Sequence, residues 1–179
     1  MRFEFSAGGV VYKHEEPRNG TRRTTKVLVA QHSQHHGWVF PKGLIDKKEL
    51  GIRNPSARLR TSQESGIIKE TKEEAALREV KEETGIVGKI IKPLTAVTYW
   101  YNFEGEKIKK TVYYFLMEYA SGDTKHHDFE MENVEWLPMD NVENRLTYKS
   151  DKEMWKEART VIPNLFRDLK LKDSESSSE

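Results

Sequence analysis

Cysteine is absent from the 179-residue chain, which removes disulfides, thiolate nucleophiles and cysteine-ligated zinc from consideration. Long apolar runs are absent too. Arg2, Glu4, Gly8 and Gly9 interrupt the N-terminal stretch, so it does not read as a secretory signal. No segment approaches the roughly 20 apolar residues that a membrane-spanning helix needs. An excess of one charge sign is also lacking: 30 basic residues face 29 acidic ones, a formal net charge of +1. That balance gives no whole-molecule attraction for nucleic acid or a membrane surface, and neither is expected as a stable partner. The expectation is a soluble, cytoplasmic protein whose oligomeric state the sequence does not give.

What is present suits a globular chain. A hydrophobic share of 36% and an aromatic share of 10% supply a modest core, and a charged share of 33% supplies a densely ionic surface. Strand patterns are read at Phe3 to Tyr12, Val27 to Ala30, Trp38 to Phe40, Ile90–Ile91, Leu94 to Phe103, Lys107 to Tyr119 and Val134 to Leu137. Residues 13–26 read as a long hairpin loop, and Glu104–Gly105 as a tight turn between two strands. Thr71-Lys-Glu-Glu74 is a capping box that opens a helix over Lys72 to Thr84, with Gly85 as its left-handed stop. Ser150-Asp-Lys-Glu153 reads as a second capping box for a C-terminal helix that Pro163 bends or restarts. Between them, residues 46–69 show no sustained periodicity and read as an inserted loop with room for a short helical turn. The order describes one α+β domain over residues 1–172, followed by an acidic, Ser-rich tail at 173–179 that is expected to be disordered.

Chemistry concentrates in the first helix. Glu79, Glu82 and Glu83 stand at i, i+3 and i+4, so their carboxylates share one face. They repel one another, and the last two sit where the helix dipole disfavours negative charge. A divalent cation would relieve both terms, and all-carboxylate donors favour magnesium, or manganese, over zinc. Taken alone, however, three glutamates with Arg78 among them also describe an ordinary ionic surface helix, each i,i+4 pair worth about 0.3–0.5 kcal/mol.

The surrounding residues alter that balance. Glu70, seven residues, Arg78-Glu79-Val80, Lys81, Glu82-Glu83, Thr84 and Gly85-Ile86 resemble the signature of the Nudix hydrolase family, G-x5-E-x7-R-E-U-x-E-E-x-G-U with U aliphatic. Gly37-Trp-Val-Phe-Pro-Lys-Gly43 resembles the family's entry to that signature. One departure stands out: Gly43 and Glu70 lie 27 positions apart where the signature has six. Glu49 satisfies the G-x5-E spacing after Gly43, but Glu70 keeps the spacing to Arg78, so Glu70 is the expected partner of that arginine.

The resemblance implies a Nudix-type α/β/α sandwich with a mixed β-sheet, and metal-assisted attack of water on a diphosphate. It implies Glu79, Glu82 and Glu83 as metal ligands, joined by a distant Glu130, and catalytic roles for Glu79, Glu82 and Glu130. Asp128 and Glu132 are the alternatives to Glu130, and the carboxylate that takes the proton is left open. Gly43, Glu70, Arg78 and Gly85 are implied as structural members of the motif. The opening residues and the stretch from Tyr99 to Met117 look like bacterial diadenosine polyphosphate hydrolases. A small nucleotide substrate is therefore expected, with Lys42, Tyr99, Tyr101, Lys110 and Tyr114 as binding residues and Lys109 near them. Other diphosphate substrates, or a silent nucleotide-binding module, remain alternatives. His32, His35, His36, His126 and His127 are read as exposed polar side chains rather than a zinc site.

Overall fold

The computed structural model describes residues 1–15, 24–45, 47–49 and 67–175, with the side chains of 47–49, 67–69 and 164–175 left aside. Its strands are β1 (Arg2–Glu15), β2 (Thr24–His32), β3 (Trp38–Val39), β4 (Lys42–Leu44), β5 (Lys47–Glu49), β6 (Ile67–Lys69), β7 (Ile86–Pro93), β8 (Val97–Phe103), β9 (Glu106–Gly122) and β10 (Met131–Pro138). The α-helices are α1 (Lys72–Thr84), α2 (Met139–Arg145) and α3 (Lys149–Glu175).

The main sheet runs β10-β2-β1-β9-β7, with β3 on β2, β4 on β1 and β8 on β9. It is mixed, because β1 and β9 pair in parallel while the other pairs are antiparallel. Strict alternation along the strands sends side chains to two cores, one on each face. Val10, Tyr12, Val27, Val29, Tyr114 and Leu116 face one way, onto Val142 of α2 and Met154, Trp155, Ala158 and Ile162 of α3. Ala7, Val11, Leu28, Phe115 and Met117 face the other way, onto Ala75, Ala76 and Val80 of α1. The result is the expected α/β/α sandwich, and burying a side chain of leucine size in either layer contributes about 1.5–3 kcal/mol. Among the described residues, no helix is long and apolar enough to cross a membrane.

Local chemistry fixes the ends of α1. The Thr71 hydroxyl accepts from the Glu74 amide at 3.1 Å, and Glu74 accepts from the Thr71 amide at 2.9 Å. Gly85 stops the helix at φ 72°, and a Cβ there would lie 2.3 Å from the Asp123 carbonyl oxygen. The hairpin between β8 and β9 turns on Glu104 and Gly105, both at positive φ, which matches the twist of the flanking strands.

Several expectations need correcting. The second capping box does not form: α3 begins at Lys149, ahead of Ser150, whose hydroxyl turns to Asp151 at 3.4 Å. Of the two effects expected of Pro163, a restart does not occur, because α3 runs through it as one helix. The helix α2, too short for its periodicity to register, was not expected. The inserted segment, 46–69, is not wholly loop, because β5 and β6 pair antiparallel within it; the rest of it, where room was left for a short helical turn, lies outside the described residues. Within 13–26, strand extends to Glu15 and resumes at Thr24; 16–23 lie outside the described residues. At the other terminus, α3 is described to Glu175, so its last three residues take in the start of the expected tail.

Candidate active site

The acidic face of α1 is held by an arginine. Arg78 donates from Nε and Nη2 to the two oxygens of Glu70, both at 2.8 Å, in a bidentate pair. Its Nη1 reaches Glu79 at 2.7 Å and Glu82 at 3.0 Å, and its Nη2 also reaches the Leu44 carbonyl at 3.0 Å. One guanidinium thus ties three carboxylates to the backbone of β4. Glu70 is buried, and it is the glutamate after the insertion that pairs with Arg78.

Glycine lets the two elements meet. A Cβ on Gly43 would lie 2.0 Å from the Glu79 carboxylate, so only glycine allows that carboxylate to rest against β4. Next to it, the Lys42 amide donates to Glu83 at 2.8 Å. Glu83 is buried, and burial pushes its carboxyl up to about 8, against the opposing pull of the Lys42 charge and amide. Glu79 is also raised, burial outweighing its bond to Arg78.

These acids open onto a cavity of about 920 Å³. Glu79, Glu82, Glu83, Arg78, Lys42 and Gly43 form one side of it. Glu130 and Asp128 reach it from the turn before β10, which is tied to the helix by the Asp128 amide on the Glu82 carbonyl at 3.1 Å. Glu132 does not join them; it pairs with His36 at 2.6 Å. Tyr99 and Tyr101 line the cavity from β8, their rings 6.2 Å apart, and Lys110 lines it from β9. Burial lowers the Lys110 ammonium, helped by the Lys42 charge. Glu4 sits 4.0 Å from Lys110 and accepts from the Tyr101 hydroxyl at 2.7 Å.

Two residues expected at the substrate lie off the acidic cavity. Tyr114 packs in the core, its ring 6.4 Å from Phe40 and its hydroxyl donating to Asp151 at 3.4 Å, and it lines a smaller adjoining cavity rather than the acidic one. Lys109 alternates to the opposite face of β9, over the Trp100 ring at 5.5 Å. His35 is exposed as expected and His32 half-buried; their rings stack at 4.1 Å on the cavity wall, and Tyr148 meets His35 edge-on at 5.6 Å. Burial lowers both imidazoles. No local pattern marks His32, His35 and Tyr148 as neighbours, because they meet only when the turn after β2 meets the start of α3.

The donors suit a hard divalent cation, being carboxylate oxygens with one of them buried. In this conformation Arg78 and the Lys42 amide hold those oxygens. Among the described residues, no three acidic or imidazole groups already gather as a metal cluster.

The comparisons with known proteins agree with this architecture. The chain is 30% identical over 164 residues to MutT4 of Mycobacterium tuberculosis, covering 87% of this chain and 64% of that protein. It is 27% identical over 152 residues to the 8-oxo-(d)GTP phosphatase of Mycolicibacterium smegmatis, covering 83% of this chain and 39% of that protein. The chain therefore spans only part of the length of both relatives. An Ap4A hydrolase of C. elegans, solved as a binary complex, shares the fold with a TM-score of 0.56 at 19% identity, over 90% of this chain and 98% of that one. The family model for the NUDIX domain matches residues 17–165, which takes in α1 with Arg78 and its glutamates, and the chain belongs to that family.

Proposed function

We propose that this chain is a divalent-metal-dependent pyrophosphohydrolase that cleaves a diphosphate linkage in a dinucleoside polyphosphate such as diadenosine tetraphosphate. One observation carries the reading: carboxylates, lysines and two sets of rings line a single cavity of about 920 Å³. Tyr99 and Tyr101 form one set, and His32, His35 and Tyr148 the other. A substrate with a base at each end of a phosphate chain can use both, stacking contributing about 1–3 kcal/mol per base. Lys42 and Lys110 lie where they can meet the phosphates.

Glu79, Glu82, Glu83 and Glu130 would hold magnesium, or manganese, with Glu79 and Glu82 exchanging Arg78 for the ion. When bound, the ion neutralises phosphate charge and lowers the pKa of an attacking water. Glu130 is the favoured acceptor of that water's proton, with Glu79 and Glu82 as alternates. Arg78 and Glu70 orient the acids, and Lys42 and Lys110 balance the charge of the bound phosphate chain.

A nucleoside triphosphate is the second substrate reading, because the M. smegmatis relative is named for action on 8-oxo-(d)GTP. A panel of dinucleoside polyphosphates, nucleoside triphosphates, nucleotide sugars and ADP-ribose, incubated with protein and magnesium and resolved by chromatography, separates the readings. The expected result is cleavage of diadenosine tetraphosphate to mononucleotides. Turnover confined to nucleoside triphosphates would replace the first reading with the second. No turnover with magnesium or manganese would leave a nucleotide-binding module.

A further inference from the structure

The sheet face that carries α1 is left open at one end. Ala7 of β1 meets the helix, but Phe3 and Phe5, which alternation points the same way, stand outside its cover. The register sets Phe3, Lys109 and Trp100 in one row across β1, β9 and β8. Phe5, Thr111 and Thr98 form the next row, the two threonine hydroxyls 3.1 Å apart. Glu4, Tyr101 and Lys110 point to the opposite face, where the acidic cavity lies. The open face is therefore separate from the candidate active site.

Phe3, Phe5 and Trp100 are 54%, 49% and 48% exposed, a grouping of rings in water that marks an interaction surface. Cations stand among them. The ammonium groups of Lys107 and Lys109 lie 4.8 Å and 5.5 Å from the centre of the Trp100 ring, and that of Lys72 lies 4.0 Å from the centre of Tyr113, in the row of Ala7. Among the described residues, none of these three lysines pairs with a carboxylate. Alternation sends Glu4 and Glu106 to the other side, so the three strands bring no acid to this end of the face. A chain with a net charge of only +1 thus gathers unpaired positive charge around its exposed rings.

That pattern selects the occupant. A second copy seated symmetrically on this face would bring the two sets of lysines together, and like charges across an interface are costly. A lipid surface would take the rings but would also desolvate the hydroxyls between them. A single nucleic-acid strand offers base faces to the rings and phosphates to the ammonium groups at once. Aromatic side chains on neighbouring strands of a sheet are a known platform for unpaired bases, and hydroxyl and amide groups beside them, here Thr98 and Asn102 next to Trp100, can meet a ribose 2′-hydroxyl.

We propose that this open end of the sheet binds single-stranded RNA, with Trp100, Phe3 and Phe5 stacking bases and Lys107 and Lys109 meeting the phosphates. The test is fluorescence anisotropy with a labelled RNA of about twelve nucleotides, a length within the usual site sizes. The RNA carries a 5′-hydroxyl and the buffer a chelator, so the outcome is independent of the hydrolase reading. The wild type should bind saturably at low salt and at least ten-fold more weakly to the same sequence as a duplex or as DNA. Trp100→Leu should weaken binding at least five-fold with native circular dichroism. The double variant Lys107→Gln, Lys109→Gln should reduce the slope of log K against log salt by about 1.4, two phosphates at about 0.7 each. It also carries the test should Trp100→Leu fail to fold, since its exchanges are isosteric in length and lie at the surface.

No saturable binding by the wild type overturns the proposal, as does equal affinity for the duplex or for DNA. Wild-type affinity and salt slope in the folded variants place any RNA elsewhere and overturn it too. Binding of phosphatidylserine vesicles, or self-association in sedimentation, that Trp100→Leu abolishes while RNA is not bound would assign the face to a membrane or to a second copy instead.

Discussion

At the residue scale, Glu83 and Gly43 carry the sharpest expectations. Glu83 has an ordinary value of 4.5 and is raised to about 8 in the folded chain, chiefly by burial. Between those values the folded protein holds a proton that the unfolded chain has lost. Stability of the metal-free protein should therefore fall as pH rises from about 4.5 to about 8. Glu79 shifts in the same direction. Thermal unfolding in chelator across that range should show a falling Tm, and Glu83→Gln should flatten the slope; a variant with the wild-type slope would acquit Glu83 of the burial cost. The same substitution should lower turnover by orders of magnitude while the circular dichroism stays native. At Gly43, alanine would place its Cβ 2.0 Å from the Glu79 carboxylate. Gly43→Ala is expected to displace that side chain and cut kcat at least ten-fold, with a modest loss of Tm, read by steady-state kinetics beside calorimetry. The motif made Glu79, Glu82, Glu83, Arg78 and Glu70 legible in the sequence, since helical spacing alone puts the first four within reach. Tyr148 was not legible beside the cavity, because nothing in the residues around it records that α3 starts against β3.

At the scale of elements, α1 was readable to the residue because both ends carry local chemistry: a reciprocal cap at Thr71 and Glu74, and a glycine at φ 72°. Those caps yield unequal expectations. Thr71→Ala should destabilise by about 1 kcal/mol, the usual cost of a lost N-cap. Gly85→Ala should destabilise more, since strain at positive φ adds to a Cβ contact of 2.3 Å with backbone. Urea unfolding of both variants checks the order, and equal midpoints would contradict the account of how the helix stops. The start of α3 misled for the opposite reason. Ser150 and Glu153 have the spacing of a cap, but the helix already begins at Lys149, so the pattern falls inside its first turn. The pairing of β5 with β6 lay beyond reach, because three-residue strands leave too little alternation to recognise.

At the scale of the whole molecule, the sheet explains why a site can exist at all. The parallel pairing of β1 with β9 places Glu4 beside Lys110, and the register of β8 on β9 sets Tyr99 opposite that same lysine. One row across three strands thus carries an acid, a base and a ring. The strands, their alternation and the Glu104–Gly105 hairpin that sets Tyr99 opposite Lys110 were legible locally, but the pairing of β1 with β9, which joins Glu4 to Lys110 across the chain, was not. Lys110 lines the cavity from β9, opposite Tyr99, so Lys110→Ala should raise KM severalfold with little change in kcat. A matching fall in kcat would mean that it acts on the reacting phosphate instead.

The central claim is that acids of one helix, released from Arg78, grip a divalent ion. Titrating manganese into chelator-treated protein at pH 7.5, with a non-hydrolysable nucleotide present, and following the free-ion paramagnetic resonance signal measures this directly. The account predicts saturable binding by the wild type and at least a ten-fold weaker site in Glu83→Gln. Binding that is undetectable in the wild type, or equal in the two proteins, would contradict it.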